Sequence, residues 1–505
     1  MPRLRLADLL AWTGGRLLSG YSGSQNRELA GISTDTRTIG AGSLFLALRG
    51  DKQDGHQYLA QALAAGAGGL LIDEPAAWEP ARGLPDRLQE KPELLAAGDT
   101  AGIPVILTAD TRKALQDIAA GYRLTLPGRV IAISGSVGKT STRQMISACL
   151  QTALSVHQTA GNQNNDIGLP QTLLQAETSH QAIVLEMGMR GPGEIALLSR
   201  VARPDIAVLT CIGYSHIGRL GSQEAILAAK AEILEGLQPD GLLLLNADDP
   251  LLLGLGRRLS GRRLAYVSMH PGSAALPEAE AEFMIQAGPI RSTAGQTAFD
   301  ASLRAADGQA DNIPVVLPFP GEHHVLSALF GLAAARALGT DLRLAAAGAA
   351  ACRFTGNRQR ILAIGGILIM DDSYNASPES MRAAFCTLAN LAGGRRKIAA
   401  LGGMLELGGF AAAAHREAGS QAARCGFDLL LLTGPQAGDI ADGARAIRPD
   451  LEVGIYPDNQ TLAAALNGKL QTGDCLLIKG SRGFAMEQVT EAVLSDLTVK
   501  EGNAR

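Results

Sequence analysis

The feature that most constrains this chain of 505 residues is a glycine-spaced turn between a short apolar run and a stretch of helical composition. The turn follows the apolar run 131–133 and consists of Gly135, Ser136, Val137, Gly138, Lys139, Thr140 and Ser141. Glycines let successive backbone N–H groups point the same way, and the N-terminus of a following helix adds partial positive charge. A lysine here can reach the outer phosphates of a nucleotide, and the next hydroxyl can hold Mg²⁺. The pattern predicts a phosphate-binding loop and a helix over 139–150, although Ile133 stands where the general loop has its first glycine and a chance Gly-rich turn is the alternative.

Bulk composition limits the class of protein. The length suits about three domains, and 46% hydrophobic residues are enough for several cores. The net charge of −4 at pH 7 gives no overall basic surface for nucleic acid. The six cysteines have no CxxC spacing, and the apolar run near the N-terminus is too short for a signal peptide or a membrane span. We therefore expect a cytoplasmic protein that neither binds nucleic acid nor inserts into a membrane.

Apolar runs of strand length alternate with helical stretches along most of the chain, which predicts α/β domains with parallel sheets covered on both faces. The central unit is predicted to be a doubly wound sheet around the phosphate loop, and the third a Rossmann-like domain without a phosphate fingerprint of its own. Within these units, 32–37 is predicted as a strand and 223–237 as a helix. The first domain is expected to span residues 1–108, with an insertion over about 74–100. The second is expected to span 109–340 and the third 341–505.

Polar residues at the carboxyl ends of predicted strands mark the candidate site, because ligands of open α/β sheets bind beyond those ends. Glu186 ends one such strand, His216 follows another, and Lys230 lies on a predicted helix. Hydroxyl, carboxylate and imidazole groups can ligate a metal, whereas an unmodified lysine offers no lone pair at neutral pH. Spacing alone is equally consistent with no shared site, in which Glu186 is an acid at a strand end, His216 a loop histidine and Lys230 a surface lysine. For the polar cluster 33–37, spacing alone favours an ordinary turn.

Longer segments carry a more specific signal. In chain order they are the phosphate loop, Gly161-Asn162-Gln163-Asn164-Asn165-Asp166-Ile167-Gly168, Glu186-Met187-Gly188-Met189 and Ala229-Lys230-Ala231-Glu232-Ile233. With these segments the chain resembles, over nearly its whole length, the Mur ligases, which are ATP-dependent amide-forming enzymes of peptidoglycan precursor synthesis. Three later segments resemble the members that add D-alanyl-D-alanine to UDP-N-acetylmuramoyl-tripeptide: Asp372-Ser373-Tyr374-Asn375-Ala376-Ser377-Pro378-Glu379-Ser380-Met381, Met404-Leu405-Glu406-Leu407-Gly408 and Lys479-Gly480-Ser481-Arg482-Gly483. Members that add the third residue are expected to show Tyr-Ala-His-Thr-Pro and Gly-Lys-Gly-His segments, and this chain has neither at those places.

The resemblance implies roles for individual residues of this sequence. Lys139, Glu186, His216 and Lys230 would be catalytic. Two Mg²⁺ ions are implied, one held by Thr140 and Glu186 and one by Glu186, His216 and Lys230, with Lys230 carbamylated so that it offers carboxylate-like oxygens. The residues that would bind ATP are Gly135, Ser136, Val137, Gly138, Lys139, Thr140, Ser141, His324, Arg358, Asp372, Tyr374 and Asn375. The residues that would bind the two substrates, with the UDP part in the first domain, are Ser33, Thr34, Asp35, Thr36, Arg37, Asn164, Asn165, Lys479, Ser481 and Arg482.

The implied reaction activates the terminal carboxylate of the tripeptide as an acyl phosphate, which the amine of D-alanyl-D-alanine then attacks. Movement of the third domain onto the ATP site is expected to exclude water, because acyl phosphates hydrolyse. The enzyme is expected to act as a monomer. The sequence leaves open whether the tripeptide ends in diaminopimelate or in lysine.

Three places depart from the family pattern, and one of them is the segment over about 74–100, which is longer than usual. His324 and Ser327 stand where two asparagines usually face adenine, and Gly403 stands where an aspartate is common. One alternative is another ligase of the same superfamily, which adds a different amino acid or acts on folate or cyanophycin; the polar cluster in the first domain and the segment that begins at Lys479 argue against it. A second alternative is a catalytically silent nucleotide-binding protein, against which the joint presence of the four candidate catalytic residues argues.

Overall fold

The computed structural model describes residues 3–19, 26–50, 53–81, 103–259, 261–270, 281–293, 295–354 and 359–503. Within these residues the chain forms three main β-sheets covered by helices, and a small antiparallel pair of strands, Leu4–Arg5 and Glu28–Leu29. The prediction of an α/β fold with parallel sheets is confirmed. Of the predicted insertion, Pro75–Ala81 forms a 3-10 helix, whereas residues 82–102 lie outside the described residues, as does Arg358. No helix in the described part of the chain is both long enough and apolar enough to cross a membrane.

The first sheet has five short strands, of which the pair at one edge is antiparallel and the other neighbours are parallel. The predicted strand 32–37 stops at Ser33, because its hydroxyl bonds the backbone of Asp35 and turns the chain. In order across the sheet, the strands are Arg16–Ser19, Val105–Leu107, Gly69–Ile72, Leu44–Leu46 and Ile32–Ser33. The helices of this unit are Leu6–Thr13 and Leu59–Ala64, with the 3-10 helix Gly55–Tyr58.

The central sheet has ten strands, and the strand that leads into the phosphate loop lies between the strands that end at Glu186 and Leu209. The carboxyl ends of these three strands therefore lie side by side. The parallel part reads across the sheet Val156–Gln158, Ala182–Glu186, Arg129–Ser134, Ile206–Leu209, Leu242–Asn246, Arg263–Ser268 and Phe283–Ala287. An antiparallel extension, absent from the sequence-based prediction, contains Thr297–Ala305, Ala310–Leu317 and Arg291–Ser292.

Helices cover both faces of the central sheet. On one face, which has Ile131 and Ile133 in its core, lie Lys139–Leu150, His323–Ala337 and Leu342–Ala351. On the other face lie Thr111–Arg123, Gly168–Leu173, Glu194–Ala202, Ile217–Leu220, Gln223–Ala231, the 3-10 turn Glu232–Glu235 and Pro250–Arg258. The expected domain limit at residue 340 precedes the helix Leu342–Ala351, which packs closely on the helix Lys139–Leu150 of the central domain. A Cβ added at Gly348 would lie 2.2 Å from the carbonyl oxygen of Ala148.

The third sheet has six strands, one antiparallel pair at the edge and otherwise parallel neighbours. Across the sheet they are Arg360–Ile364, Ile367–Asp372, Cys475–Lys479, Lys397–Leu401, Leu429–Thr433 and Glu452–Tyr456. Pro378–Ala392, Ala411–Arg424 and Ala437–Ile447 cover one face, and Asn459–Lys469 and Glu487–Asn503 cover the other. The polar segments after Asp372 and Lys479 therefore leave the sheet from adjacent strands. Short 3-10 turns follow at Gly408–Phe410 and Arg482–Phe484.

Candidate active site

The phosphate loop has a backbone that only glycine accommodates at its start. Gly135 has φ +150° and Gly138 has φ +83°. A Cβ added at Gly135 would lie 1.9 Å from Thr210 Oγ1, which donates a hydrogen bond to the carbonyl oxygen of Val137 over 2.6 Å. The neighbouring strand thus fixes the turn, and the helix Lys139–Leu150 begins where the sequence predicts it.

Two lysines meet at one carbonyl oxygen of this loop. Lys139 Nζ and Lys230 Nζ donate to the carbonyl oxygen of Gly135 over 2.8 Å and 3.0 Å. Lys230 projects from the helix Gln223–Ala231 and is 2% exposed. Burial, together with the positive charge of Lys139, holds the pKa of Lys230 well below its usual range. Lys230 therefore lies beside the phosphate loop in surroundings that favour the uncharged form of its amine.

Glu186 connects the loop to the asparagine segment. Its carboxylate accepts hydrogen bonds from Thr140 Oγ1 and from Asn164 Nδ2, each over 2.8 Å. Arg143 Nε lies 3.7 Å from the same carboxylate, and both side chains are buried. The neighbouring Asn165 instead holds the turn that leads into a helix, because its Oδ1 accepts from the backbone N–H of Gly168 over 2.8 Å.

His216 stands at the start of a short helix with φ +67°, and its Nδ1 bonds to the carboxylate of Glu406 in the third domain. Burial lowers the pKa of His216, the Glu406 carboxylate opposes this effect, and the positive charges of Lys230 and Lys139 add to it. A neutral imidazole that donates from Nδ1 keeps a lone pair on Nε2 for a ligand.

A cavity of about 710 Å³ separates the phosphate loop from the third domain. Eight of the predicted site residues line it: Ser136, Lys139, Thr140, His216, Tyr374, Asn375, Ser481 and Arg482. The guanidinium of Arg482 lies 5.9 Å from the centre of the Tyr374 ring. The two polar segments of the third domain thus face the phosphate loop across one space.

Other predicted residues hold these segments in place. Lys479 forms a buried ion pair with Asp372 and donates to the carbonyl oxygen of Asn375 over 2.9 Å. Ser481 Oγ donates to the carbonyl oxygen of Ala376 over 3.1 Å. These contacts join the ends of the two adjacent strands.

The polar cluster 33–37 lies on the first domain. Arg37 pairs with Asp35 over 2.6 Å on the surface, and Thr36 lies between them in the turn. Thr34 Oγ1 accepts a hydrogen bond from Gln171 Nε2 of the central domain over 2.8 Å. The cluster therefore meets the central domain through Thr34 and Gln171.

His324 does not line the cavity. It is buried against Phe354 and Phe319, with ring centres 4.7 Å apart in each case, and burial lowers its pKa well below its usual range. Ser327 Oγ lies 3.2 Å from Thr142 Oγ1, on the helix of the phosphate loop. His324 and Ser327, which stand where the family usually has asparagines, thus lie behind the phosphate loop rather than on the cavity wall.

Sequence reasoning missed two residues that the geometry brings forward. Arg143 lies four residues after Lys139, one helical turn further on the same face, and lines the same cavity. That spacing was the available signal. Glu406 belongs to a recognised segment, but no local pattern indicates its contact with His216, which is 190 residues away.

The predicted magnesium ligands offer a limited donor set. Among the described residues, no group of three or more His, Cys, Asp or Glu side chains is placed to hold a metal ion. Glu186 and His216 are the two predicted ligands of those types, so a further oxygen ligand has to come from elsewhere. A carbamate on the buried amine of Lys230 would fit that need.

Comparison with known proteins agrees with this architecture. Three family descriptions match the chain: "Mur ligase family, catalytic domain" over residues 28–123, "Mur ligase middle domain" over 133–335 and "Mur ligase, glutamate ligase domain" over 357–482. The chain belongs to the Mur ligase family, as its motifs indicate, and the prediction of an ATP-dependent ligase is confirmed.

Relatives of known name cover almost the whole chain. The UDP-N-acetylmuramoyl-tripeptide--D-alanyl-D-alanine ligase of Synechocystis sp. is 34% identical over 98% of each sequence, and that of Bacillus subtilis is 35% identical over 92% of this chain and 93% of its own. The crystal structure of MurF from Acinetobacter baumannii superposes with a TM-score of 0.82 at 27% identity, over 98% of this chain and 99% of that one. MurF from Thermotoga maritima, solved in complex with ADP, shares the fold with a TM-score of 0.74 at 24% identity, over 93% of this chain and 98% of that one.

Proposed function

We propose that this chain joins D-alanyl-D-alanine to the terminal carboxylate of UDP-N-acetylmuramoyl-tripeptide in an ATP-dependent step of peptidoglycan precursor synthesis. The observation that carries the proposal is one cavity shared by Lys139 and Thr140 of the phosphate loop and by Tyr374, Asn375 and Arg482 of the third domain. The first pair suits phosphate, and the second group belongs to the segments that distinguish this ligase from its sister enzymes. Relatives that carry this activity in their names match almost the entire chain.

The reaction proceeds in two displacements. The tripeptide carboxylate attacks the γ-phosphorus of ATP, the bond to the β–γ bridging oxygen breaks, and an acyl phosphate and ADP form. The dipeptide amine then attacks the acyl carbon, loses a proton, and inorganic phosphate leaves. Lys139 reduces the repulsion between the carboxylate and the triphosphate and stabilises charge on the transferred group. The third domain excludes water from the acyl phosphate.

Mg²⁺ would supply further positive charge to the phosphates when bound. Thr140 and Glu186 would hold one ion, and Glu186, His216 and carbamylated Lys230 a second. The burial and lowered pKa of Lys230 support the modification, because a neutral amine adds to CO₂ and releases one proton to give a carbamate. The hydrogen bond between Thr140 and Glu186 supports the first site.

Further binding roles are part of the proposal. The turn 33–37 binds the UDP part, and Asn164 and Asn165 lie near the muramoyl-peptide. Arg358 and Asp372 contribute to the nucleotide site, and His324 contributes only from its buried place behind the phosphate loop. The enzyme is proposed to act as a monomer in the cytoplasm. The division 1–108, 109–340 and 341–505 assigns one binding task to each unit. Sedimentation tests the oligomeric state, cell fractionation tests the compartment, and limited proteolysis tests the domain limits.

Phosphate release tests the function itself. We expect release from ATP only when both the UDP-muramoyl-tripeptide and D-alanyl-D-alanine are present, because the acyl phosphate must be consumed for turnover. A coupled phosphate assay with each substrate omitted in turn measures this, and tripeptides ending in diaminopimelate and in lysine are compared. D-alanine alone and free diaminopimelate serve as control amines. Turnover that needs no dipeptide contradicts the proposal.

Arg482 is the proposed partner of the dipeptide carboxylate. Its side chain is 67% exposed, pairs with Glu487 over 3.2 Å and lines the cavity. We expect Arg482→Ala to raise the KM for D-alanyl-D-alanine by about tenfold or more, because a hydrogen bond to a charged group is worth roughly 1.5–3 kcal/mol. The C-terminal amide of the dipeptide, which lacks the charge, is expected to show little change in KM.

Arg424→Ala is the control, because Arg424 pairs with Glu417 elsewhere on the third domain. If the ratio of the KM values for the dipeptide and its C-terminal amide is the same in Arg482→Ala as in the wild type, Arg482 does not recognise the carboxylate.

A further inference from the structure

A loop of the third domain, residues 404–410, docks on the segment 213–218 of the central domain. The backbone N–H of Gly218 donates to the carbonyl oxygen of Glu406 over 2.9 Å, and the Glu406 carboxylate bonds to His216 Nδ1. Nearby, the backbone N–H of Tyr214 donates to Glu379 Oε1 over 2.9 Å. These contacts hold the two domains together at the side of the cavity where His216 lies.

The docking depends on two glycines. A Cβ added at Gly218 would lie 2.5 Å from the backbone nitrogen of Gly408, and one added at Gly408 would lie 2.7 Å from the Cα of Gly218. Such distances are well inside van der Waals contact, so a side chain on either side would separate the two backbones. The contact therefore requires a close approach of main chain to main chain.

The third domain also fixes the conformation of Glu406. Its φ of +63° is uncommon for a residue with a side chain. The loop is held from behind by His415 Nε2, which accepts from the backbone N–H of Met404 over 2.8 Å, and by Ser481 Oγ, which accepts from that of Leu405 over 3.0 Å. Glu406 is thus presented to the central domain by a backbone that the third domain holds in place.

We propose that Glu406 is a positioning residue that orients His216 across the domain boundary when the third domain is docked. Its carboxylate accepts the Nδ1 proton of His216, which fixes the tautomer with the lone pair on Nε2 and holds the ring against the cavity. A carboxylate behind a ligating histidine commonly sets its orientation and basicity. Docking of the third domain then completes the phosphate site as well as closing it. The inference rests on the proposed role of His216 as a metal ligand.

If the contact between Glu406 and His216 only held the domains together, its loss would change the compactness of the protein but not its affinity for metal. The test therefore measures metal affinity. Mn²⁺ binding to the full chain, with ADP and the UDP-muramoyl-tripeptide present, is followed by electron paramagnetic resonance. Glu406→Gln is expected to weaken Mn²⁺ affinity about tenfold to a hundredfold, the usual effect of losing such a partner. Gly218→Ala is expected to do the same by blocking docking, and to give a larger radius of gyration in solution scattering.

Gly409→Ala is the matched control, because a Cβ at that neighbouring glycine meets no atom within 4 Å. It is expected to bind Mn²⁺ and to scatter like the wild type. His216→Ala separates the positioning role of Glu406 from the metal-binding role of His216. Weak binding by His216→Ala with wild-type binding by Glu406→Gln overturns the positioning role and leaves the metal role of His216 intact. Wild-type binding by His216→Ala overturns both.

Discussion

Replacement of Lys230 by alanine is expected to lower the rate of phosphate release about a thousandfold. The side chain is 2% exposed and lies beside Gly135 and Lys139, with its pKa held well below the usual range. If its carbamate is a metal ligand, the change removes charge stabilisation worth several kcal/mol at the transferring phosphoryl group, and about 1.4 kcal/mol corresponds to tenfold in rate. Added short-chain carboxylates are expected to restore part of the activity, because they can supply the missing oxygen ligand.

The control for this experiment is Lys113→Ala, which removes a surface lysine paired with Asp117. It is expected to retain wild-type activity and to show no response to added carboxylate. Protein equilibrated with ¹³C-labelled bicarbonate gives a direct second readout, a carbamate carbon signal that Lys230→Ala lacks. Full activity of Lys230→Ala without any carboxylate would show that Lys230 is not the modified ligand.

The phosphate loop shows how far local sequence determines structure. The predicted helix 139–150 is found as Lys139–Leu150, because a glycine-defined turn fixes where the helix can begin. The shortened spacing with Ile133 is also explained locally: Ile133 is a buried strand residue, and the turn begins only at Gly135. Steric limits at a few residues are enough to predict this element.

Predictions that depended on context were less accurate. The helix predicted over 223–237 ends at Ala231 and continues as the 3-10 turn Glu232–Glu235, where Glu232 turns back to accept from the backbone of Gly193. The strand Thr297–Ala305 alternates buried and more exposed residues over much of its length, a period-two pattern that could have been recognised. Tertiary contacts determine where the helix ends, whereas the strand Thr297–Ala305 could have been predicted from its sequence pattern.

The geometry of the site was the least predictable part. Motifs place Lys139, His216 and Tyr374 at strand ends, and the structure brings all three to one cavity. The same reasoning gives no reason for Glu406 to meet His216, or for His324 to pack against Phe354 behind the loop. Contacts between domains depend on how whole sheets dock, and no single segment of sequence contains that information.

Lys139→Ala is expected to lower kcat about a hundredfold to a thousandfold, the usual cost of removing one preorganised donor from a developing negative charge. The loss has a second source in this site, because the charge of Lys139 helps to keep the pKa of Lys230 low. Without that charge, a larger fraction of Lys230 is protonated and cannot carry a carbamate. Lys139→Arg keeps the positive charge, so it is expected to lose phosphate positioning but to retain the modification of Lys230.

Two measurements on the same variants separate these effects. Phosphate release with saturating substrates gives kcat, and the ¹³C carbamate signal reports the state of Lys230. Both substitutions should reduce kcat, whereas only Lys139→Ala should also weaken the carbamate signal at a fixed bicarbonate concentration. Lys469→Ala, which removes a surface lysine paired with Glu452, is the control for both measurements. A carbamate signal equally strong in Lys139→Ala and Lys139→Arg would mean that burial alone lowers the pKa of Lys230, and that the two lysines act independently despite sharing the Gly135 carbonyl oxygen.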